Sequence, residues 1–127
     1  MAQWHRRIAQ IQETISPLDY GGGGAVHRLY IEGSSIESSH MYFSEEPTLA
    51  AFIDVVPYGS NVYIKYMSVR PEDRGKGLAR QLVQAVYNSF PEYDINWGEV
   101  HHPGAGHLYN DFRKRYPDRT WGGKVRY

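Results

Sequence analysis

Between Ser68 and Val83 the chain reads SVRPEDRGKGLARQLV, which sets Arg70, Arg74, Lys76 and Arg80 around two glycines, Gly75 and Gly77. Cations and glycines ahead of a helical pattern are chemistry for an anion. A helix start offers up to four unpaired N–H groups and about half a positive charge, so phosphate is favoured there. Glycine lets a ligand approach the main chain with no Cβ in the way. Two known phosphate cradles fail on spelling. A P-loop needs Ser or Thr after its Gly-Lys, and Lys76 is followed by Gly77; a dinucleotide turn needs a third glycine where Arg80 stands. Arg70 precedes Pro71 and is expected to face solvent. Farther along, His101, His102 and His107 do not make a metal site, because strand neighbours point to opposite faces and no HExxH-type spacing occurs.

The elements that must position this stretch are legible in the pattern around it. Residues 3–15 place Trp4, Ile8, Ile11 and Ile15 at helical spacing, and SPLDYGGGG stops them. Branched and aromatic runs AVHRLYIE, HMYF, TLAAFIDVV and NVYIKYMSV then predict strands, the last two joined by PYGS as an antiparallel hairpin. Leu78, Leu82, Val83, Val86, Tyr87 and Phe90 form the apolar stripe of an amphipathic helix. YDINWGEV is a further strand, AGHLYNDFRKRY a second helix ended by Pro117, and TWGGKVRY a terminal strand closing the sheet. The order implies an α/β or α+β fold.

At 127 residues the chain is expected to be one domain, and 41% hydrophobic with 22% charged residues describes a globular protein. No run is apolar enough to span a membrane, and the start lacks the apolar core of a signal peptide, so a cytoplasmic location is expected. The absence of cysteine excludes disulfides, a thiolate nucleophile and a Cys-type zinc site. Net charge is zero, yet residues 109–127 hold six Arg or Lys against two Asp, a local +4 balanced by −4 over the rest.

The run VRPEDRGKGLARQLV resembles the acetyl-CoA signature of the GNAT (GCN5-related) N-acetyltransferases, met here by Arg74, Gly75, Lys76, Gly77, Leu78 and Ala79. The strand YIKYMSV before it matches the family's spacing. EVHHPGAGHLYNDF is similar to the family's later motif through Ala105, Leu108 and Tyr109, with His102 where an Asn is usual. The resemblance covers roughly residues 49–116. It implies a mixed, mostly antiparallel sheet flanked by helices, with a shortened N-terminal part. It also implies acetyl-CoA as acyl donor, its pantetheine arm paired along Met67, Ser68 and Val69 and its pyrophosphate held by the amides from Arg74 to Arg80.

For such an acyltransferase the proton inventory names the candidates. A primary amine acceptor, pKa about 10.4, must lose a proton before it attacks the thioester, and Glu99, His101 or His102 would take it. The leaving thiol, pKa about 8.5, would receive a proton from a tyrosine phenol, a type of group with an ordinary pKa about 10, and Tyr109 is the candidate. Main-chain N–H groups near Met67 would polarise the carbonyl. The acceptor stays open. It is a small-molecule or protein amine; or, through the basic aromatic tail with Tyr116, Trp121 and Tyr127, an amine or modified base on nucleic acid. A non-catalytic acyl-CoA-binding domain is the third reading, and a homodimer formed through edge strands is compatible with each.

Overall fold

A computed structural model describes residues 11–16, 25–33, 49–101 and 103–125. In chain order its elements are β1 (Ile11–Ser16), β2 (Val26–Glu32), β3 (Leu49–Tyr58), β4 (Asn61–Val69), α1 (Leu78–Ser89), β5 (Asp94–Asn96), β6 (Glu99–Val100), α2 (Pro103–Arg115), β7 (Thr120–Trp121) and β8 (Lys124–Val125). Among the described residues the main sheet runs β1-β2-β3-β4-β5-β7, and β6 pairs with β8 beside it. The pairings from β1 to β4 are antiparallel, while β4–β5 and β5–β7 are parallel. The mixed, mostly antiparallel open sheet flanked by helices is the α+β architecture that the sequence pattern implies.

Strand β3 reads LAAFIDVVPY, and the near-continuous burial of Ala50, Ala51 and Ile53 to Val56 is that of a strand covered on both faces. On one face Ile53, Val55, Val62 and Ile95 meet Leu82, Val83, Val86 and Tyr87 of α1. Each of these aliphatic side chains, fully withdrawn from water, contributes about 1.5–3 kcal/mol. On the other face the carboxylate of Asp54, 1% exposed, accepts from Nε and Nη2 of Arg28 at 2.7 and 2.9 Å, directly across the strand pair. The same guanidinium lies over the Phe52 ring at 3.9 Å. The Arg28 side chain is itself 38% exposed, so the buried member is the carboxylate, and losing its two bonds from Arg28 costs about 1–3 kcal/mol.

Helices α1 and α2 lock together through aromatic rings and a chain of hydroxyls. Tyr87 stacks on Phe112 and Tyr116, with centroids 5.1 and 4.5 Å away. Trp97 Nε1–H donates to the Tyr87 hydroxyl at 3.0 Å, Tyr87 and Thr120 hydroxyls meet at 2.6 Å, and Thr120 reaches the Phe112 carbonyl at 3.4 Å. Each hydroxyl thus has a partner on both sides, and burial pushes the Tyr87 phenol above its ordinary pKa. Arg119 finishes α1: its guanidinium donates to the carbonyls of Tyr87, Phe90 and Tyr93, a cation where the helix dipole favours one.

Three expectations are corrected. Residues 11–15 are strand β1, not the end of a helix, because Ile11 and Ile15 share a face in a strand as well as in a helix, and β2 supplies the pairing. Residues 3–10 and the strand expected at HMYF lie outside the described residues. YDINWGEV is two strands, not one. Asn96 Oδ1 accepts from Gly98 N at 2.8 Å, and Gly98 takes φ +64°, which turns the chain from β5 in the main sheet to β6 in the small one. TWGGKVRY breaks in the same way, β7 joining the main sheet and β8 pairing with β6.

Candidate active site

The site forms where two adjacent strands part. Strand β4 pairs with β3 from Asn61 to Val69, but with β5 only from Asn61 to Tyr63. Its register against β3 jumps from Tyr66 to Ile64, so Lys65 is an extra residue opposite Asp54 and Val55. Such a bulge bends and twists its strand, here away from β5. Beyond Ile64, alternate backbone groups of β4 therefore face the gap rather than a neighbouring strand. The gap opens into a cavity of about 730 Å³, walled by the end of β4, the loop before α1, the first turn of α1 and the first turns of α2.

The residues expected to hold the donor converge on this cavity. Met67, Ser68 and Val69 line it from β4, Arg74, Gly75 and Gly77 from the loop, and Leu78, Ala79 and Arg80 from α1. The start of α1 is bare. Gly77 sits at the N-cap with no side-chain hydrogen bond, no acid lies in the first turn, and the first closed backbone bond is Gln81 N–H to Gly77 C=O. The amides before Gln81 and the positive end of the helix dipole are left for something outside the helix. Gly75 and Gly77 take φ of +80° and +81°, which side chains disfavour, and a Cβ on either would point into open space.

The cations around the glycines have partners. Asp73, which also lines the cavity, accepts from Lys76 Nζ at 2.8 Å and from Arg70 Nε; these two hold its carboxyl below the usual carboxylate range, Lys76 more than Arg70. Lys76 is thereby drawn to the loop and does not line the cavity. Arg70 does not face solvent as expected: its side chain is 14% exposed, packed against Gly33 and tied to Asp73. Arg74 Nε donates to the Val69 carbonyl at 3.0 Å. Arg80 reaches across to Asp111 of α2 at 2.8 Å, and that contact lowers the Asp111 pKa.

The proton-transfer candidates stand elsewhere. Tyr109 follows cavity-lining Leu108 on α2 but turns away from it; its ring meets Trp97 edge to face at 5.5 Å and its hydroxyl donates to the Gly122 carbonyl at 3.0 Å. Glu99, exposed on β6, has Oε1 3.5 Å from His101 Nε2. His102 lies outside the described residues. Sequence reasoning did not mark Tyr66, Asp73, Gly104 or His107 as cavity residues. Asp73 carried a signal, an acid among four cations; His107 carried one in its place a helical turn after Gly104, and Tyr66 none.

The sequence model of the acetyltransferase (GNAT) family matches residues 3–112. This chain belongs to the GNAT family. The match reaches well before residue 49, so the family pattern takes in β1 and β2 as well as the motifs around the cavity. Among curated proteins none matches the chain. GNAT membership carries acyl transfer from an acyl-CoA as the general activity, and the cavity lies where the GNAT signature residues converge. Among the described residues of this GNAT domain, no helix is long and apolar enough to cross a membrane.

Proposed function

We infer that this GNAT protein transfers an acetyl group from acetyl-CoA to a primary amine of a small molecule or protein, by direct attack of the amine on the thioester. The observation that carries the reading is the uncapped start of α1, which faces an open cavity beside two glycines with no Cβ. Acetyl-CoA would supply the activated acyl group and the pyrophosphate that this helix start lacks. Of the amides from Arg74 to Arg80, that of Arg74 is bonded to the Pro71 carbonyl, and the rest would hold the pyrophosphate. The free edge of β4 at Met67 to Val69 would pair with the pantetheine arm and polarise the thioester carbonyl.

The remaining roles concern two protons. Glu99 beside His101, or His102, takes the proton that the ammonium form of the acceptor must lose. Tyr109 is the acid for the departing thiolate; delivering its proton requires its hydroxyl to exchange the Gly122 carbonyl for the thiolate sulfur. Direct attack needs no acyl-enzyme, and a chain without cysteine agrees with that. An amine on a small molecule or protein is favoured over one on nucleic acid, because the basic tail uses part of its charge internally. Arg119 is bound to three carbonyls and Arg115 donates to Gln84.

The decisive experiment combines mass spectrometry of the purified protein under native conditions with an acceptor screen that reports released thiol. Bound CoA together with thiol release that depends on an amine is the expected result. Bound CoA with no release across a broad amine panel would instead identify a binding domain, and no affinity for CoA would end the reading.

A further inference from the structure

We propose that Asp111 is a counter-ion latch on Arg80, which sets how tightly the cavity holds the phosphates of CoA and how fast it lets them go. The proposal rests on the acyl-CoA reading given above. Arg80 lies in the first turn of α1 and lines the cavity, yet a cation there opposes the helix dipole and does nothing for the helix. Its one described acidic partner comes from the other wall: Asp111, 31 positions on in α2, with Nη2 to Oδ2 at 2.8 Å. Both side chains are open to water, 46% and 48% exposed, so little is lost when they separate.

The second carboxylate of the site shows by contrast why Asp111 is the exchangeable one. Asp73 is 12% exposed and is gripped by Arg70 and Lys76 together, an arrangement that folds the loop. Asp111 accepts from a single arginine, with Lys114 and His107 as its basic neighbours on α2. CoA's pyrophosphate and 3′-phosphate together carry more charge than one carboxylate, and a phosphate can take two guanidinium N–H groups where Asp111 holds Arg80 through Nη2 to Oδ2, so phosphate entering beside Arg80 displaces Asp111. The freed carboxylate then stands close to the phosphate that replaced it, and like charges at that range repel through the screening solvent. Asp111 thus lowers affinity twice, by competing for Arg80 before binding and by repelling the ligand after it.

The test is calorimetric titration of CoA into the wild type, Asp111→Asn, Arg80→Gln and the double variant at low salt. Asp111→Asn is expected to bind CoA about threefold to tenfold more tightly than wild type, and the gain is expected to disappear in the Arg80→Gln background. The same gain with dephospho-CoA assigns Arg80 to the pyrophosphate; a gain confined to CoA assigns it to the 3′-phosphate, and either supports the latch. Unchanged or weaker binding by Asp111→Asn, or a gain that persists without Arg80, overturns it. If the wild type binds no CoA, the acyl-CoA reading and the latch fall together; if wild type and Asp111→Asn bind it equally, only the latch falls.

Discussion

Gly75 and Gly77 ahead of α1, and Gly122 and Gly123 between β7 and β8, are two glycine pairs with one backbone signature: φ of +80°, +81°, +82° and +70°. They differ in what occupies the space a side chain would take. Around Gly75 and Gly77 nothing does, and that space is the cavity. At Gly122 a Cβ would collide with Asn96 Oδ1 and lie 3.0 Å from Gly98 N, and at Gly123 it would collide with the Tyr109 ring. One pair borders open space and the other is filled by the protein. Dihedral angles alone make the two look equivalent; the surrounding atoms separate an open turn from a packing corner, and substitutions can test that separation.

The largest effect is expected at the packed corner. Gly123→Ala must move the Tyr109 ring, which also packs on Trp97, and must hold a side chain at positive φ. Overpacking of about 1–3 kcal/mol and a backbone penalty of about 1–2 kcal/mol together take a large share of a small domain's stability. A thermal midpoint lowered by about 10 °C or more is expected. A midpoint within a degree or two of wild type would show that Tyr109 does not depend on this corner.

At the open turn the expectation reverses. Gly77→Asp pays the same kind of backbone penalty but meets no atom, so the fold survives with a modestly lowered midpoint. Its carboxylate would take the place of the phosphate at the bare start of α1, and CoA affinity should fall about a hundredfold. Tight CoA binding by a folded Gly77→Asp protein in calorimetry would mean that the open turn is not a cradle, and the contrast between the two pairs would lose its functional half.

Tyr109→Phe probes the side chain that joins the corner to the proposed chemistry. The ring stays on Gly123, and only the hydrogen bond to the Gly122 carbonyl goes, a loss of about 1 kcal/mol. If Tyr109 is the acid, turnover falls about tenfold or more while the affinity for CoA holds. A small drop in melting temperature with wild-type turnover would assign the tyrosine to the packing corner alone.

Legibility in the sequence follows the same division. Strand β4 and helix α1 were readable because NVYIKYMSV and the stripe from Leu78 to Phe90 are long and each fits one periodicity. Residues 11–15 read as a helix end because an i, i+4 spacing of isoleucines is common to a helix face and a strand face, and what decides is the pairing with β2, which no local spacing shows. The breaks at Gly98 and Gly122 were hidden for another reason: an Asn96 side chain and a ring from α2 fix them, and neither belongs to any repeating pattern. Of the residues expected to hold the donor, all but Lys76 line the cavity, and their spelling marked them. That cation belongs to the same signature, but Asp73 draws it away from the cavity, and no spelling records which carboxylate a lysine will meet.

The smallest effect expected is at Asp73, and it asks what holds the open turn in place when packing does not. Lys76 and then Arg70 lower the Asp73 pKa, so its folded value lies below its unfolded one. Its contribution to stability is therefore fully present above the ordinary carboxylate pKa of about 3.9 and fades as the pH falls through the folded value. Asp73→Asn should lower the melting temperature at pH 7 by a few degrees at most, because one of its two partners is well exposed. That gap should shrink as the pH falls below the ordinary carboxylate pKa and through the lowered folded value, and should narrow in high salt. A gap that persists in acid would mean that Asp73 holds the turn through hydrogen bonds that a carboxyl makes in either protonation state and an amide does not. Closure in acid would mean that charge alone shapes the turn, which leaves the Gly75–Gly77 segment free to be reset by a second source of charge, the ligand's own phosphates.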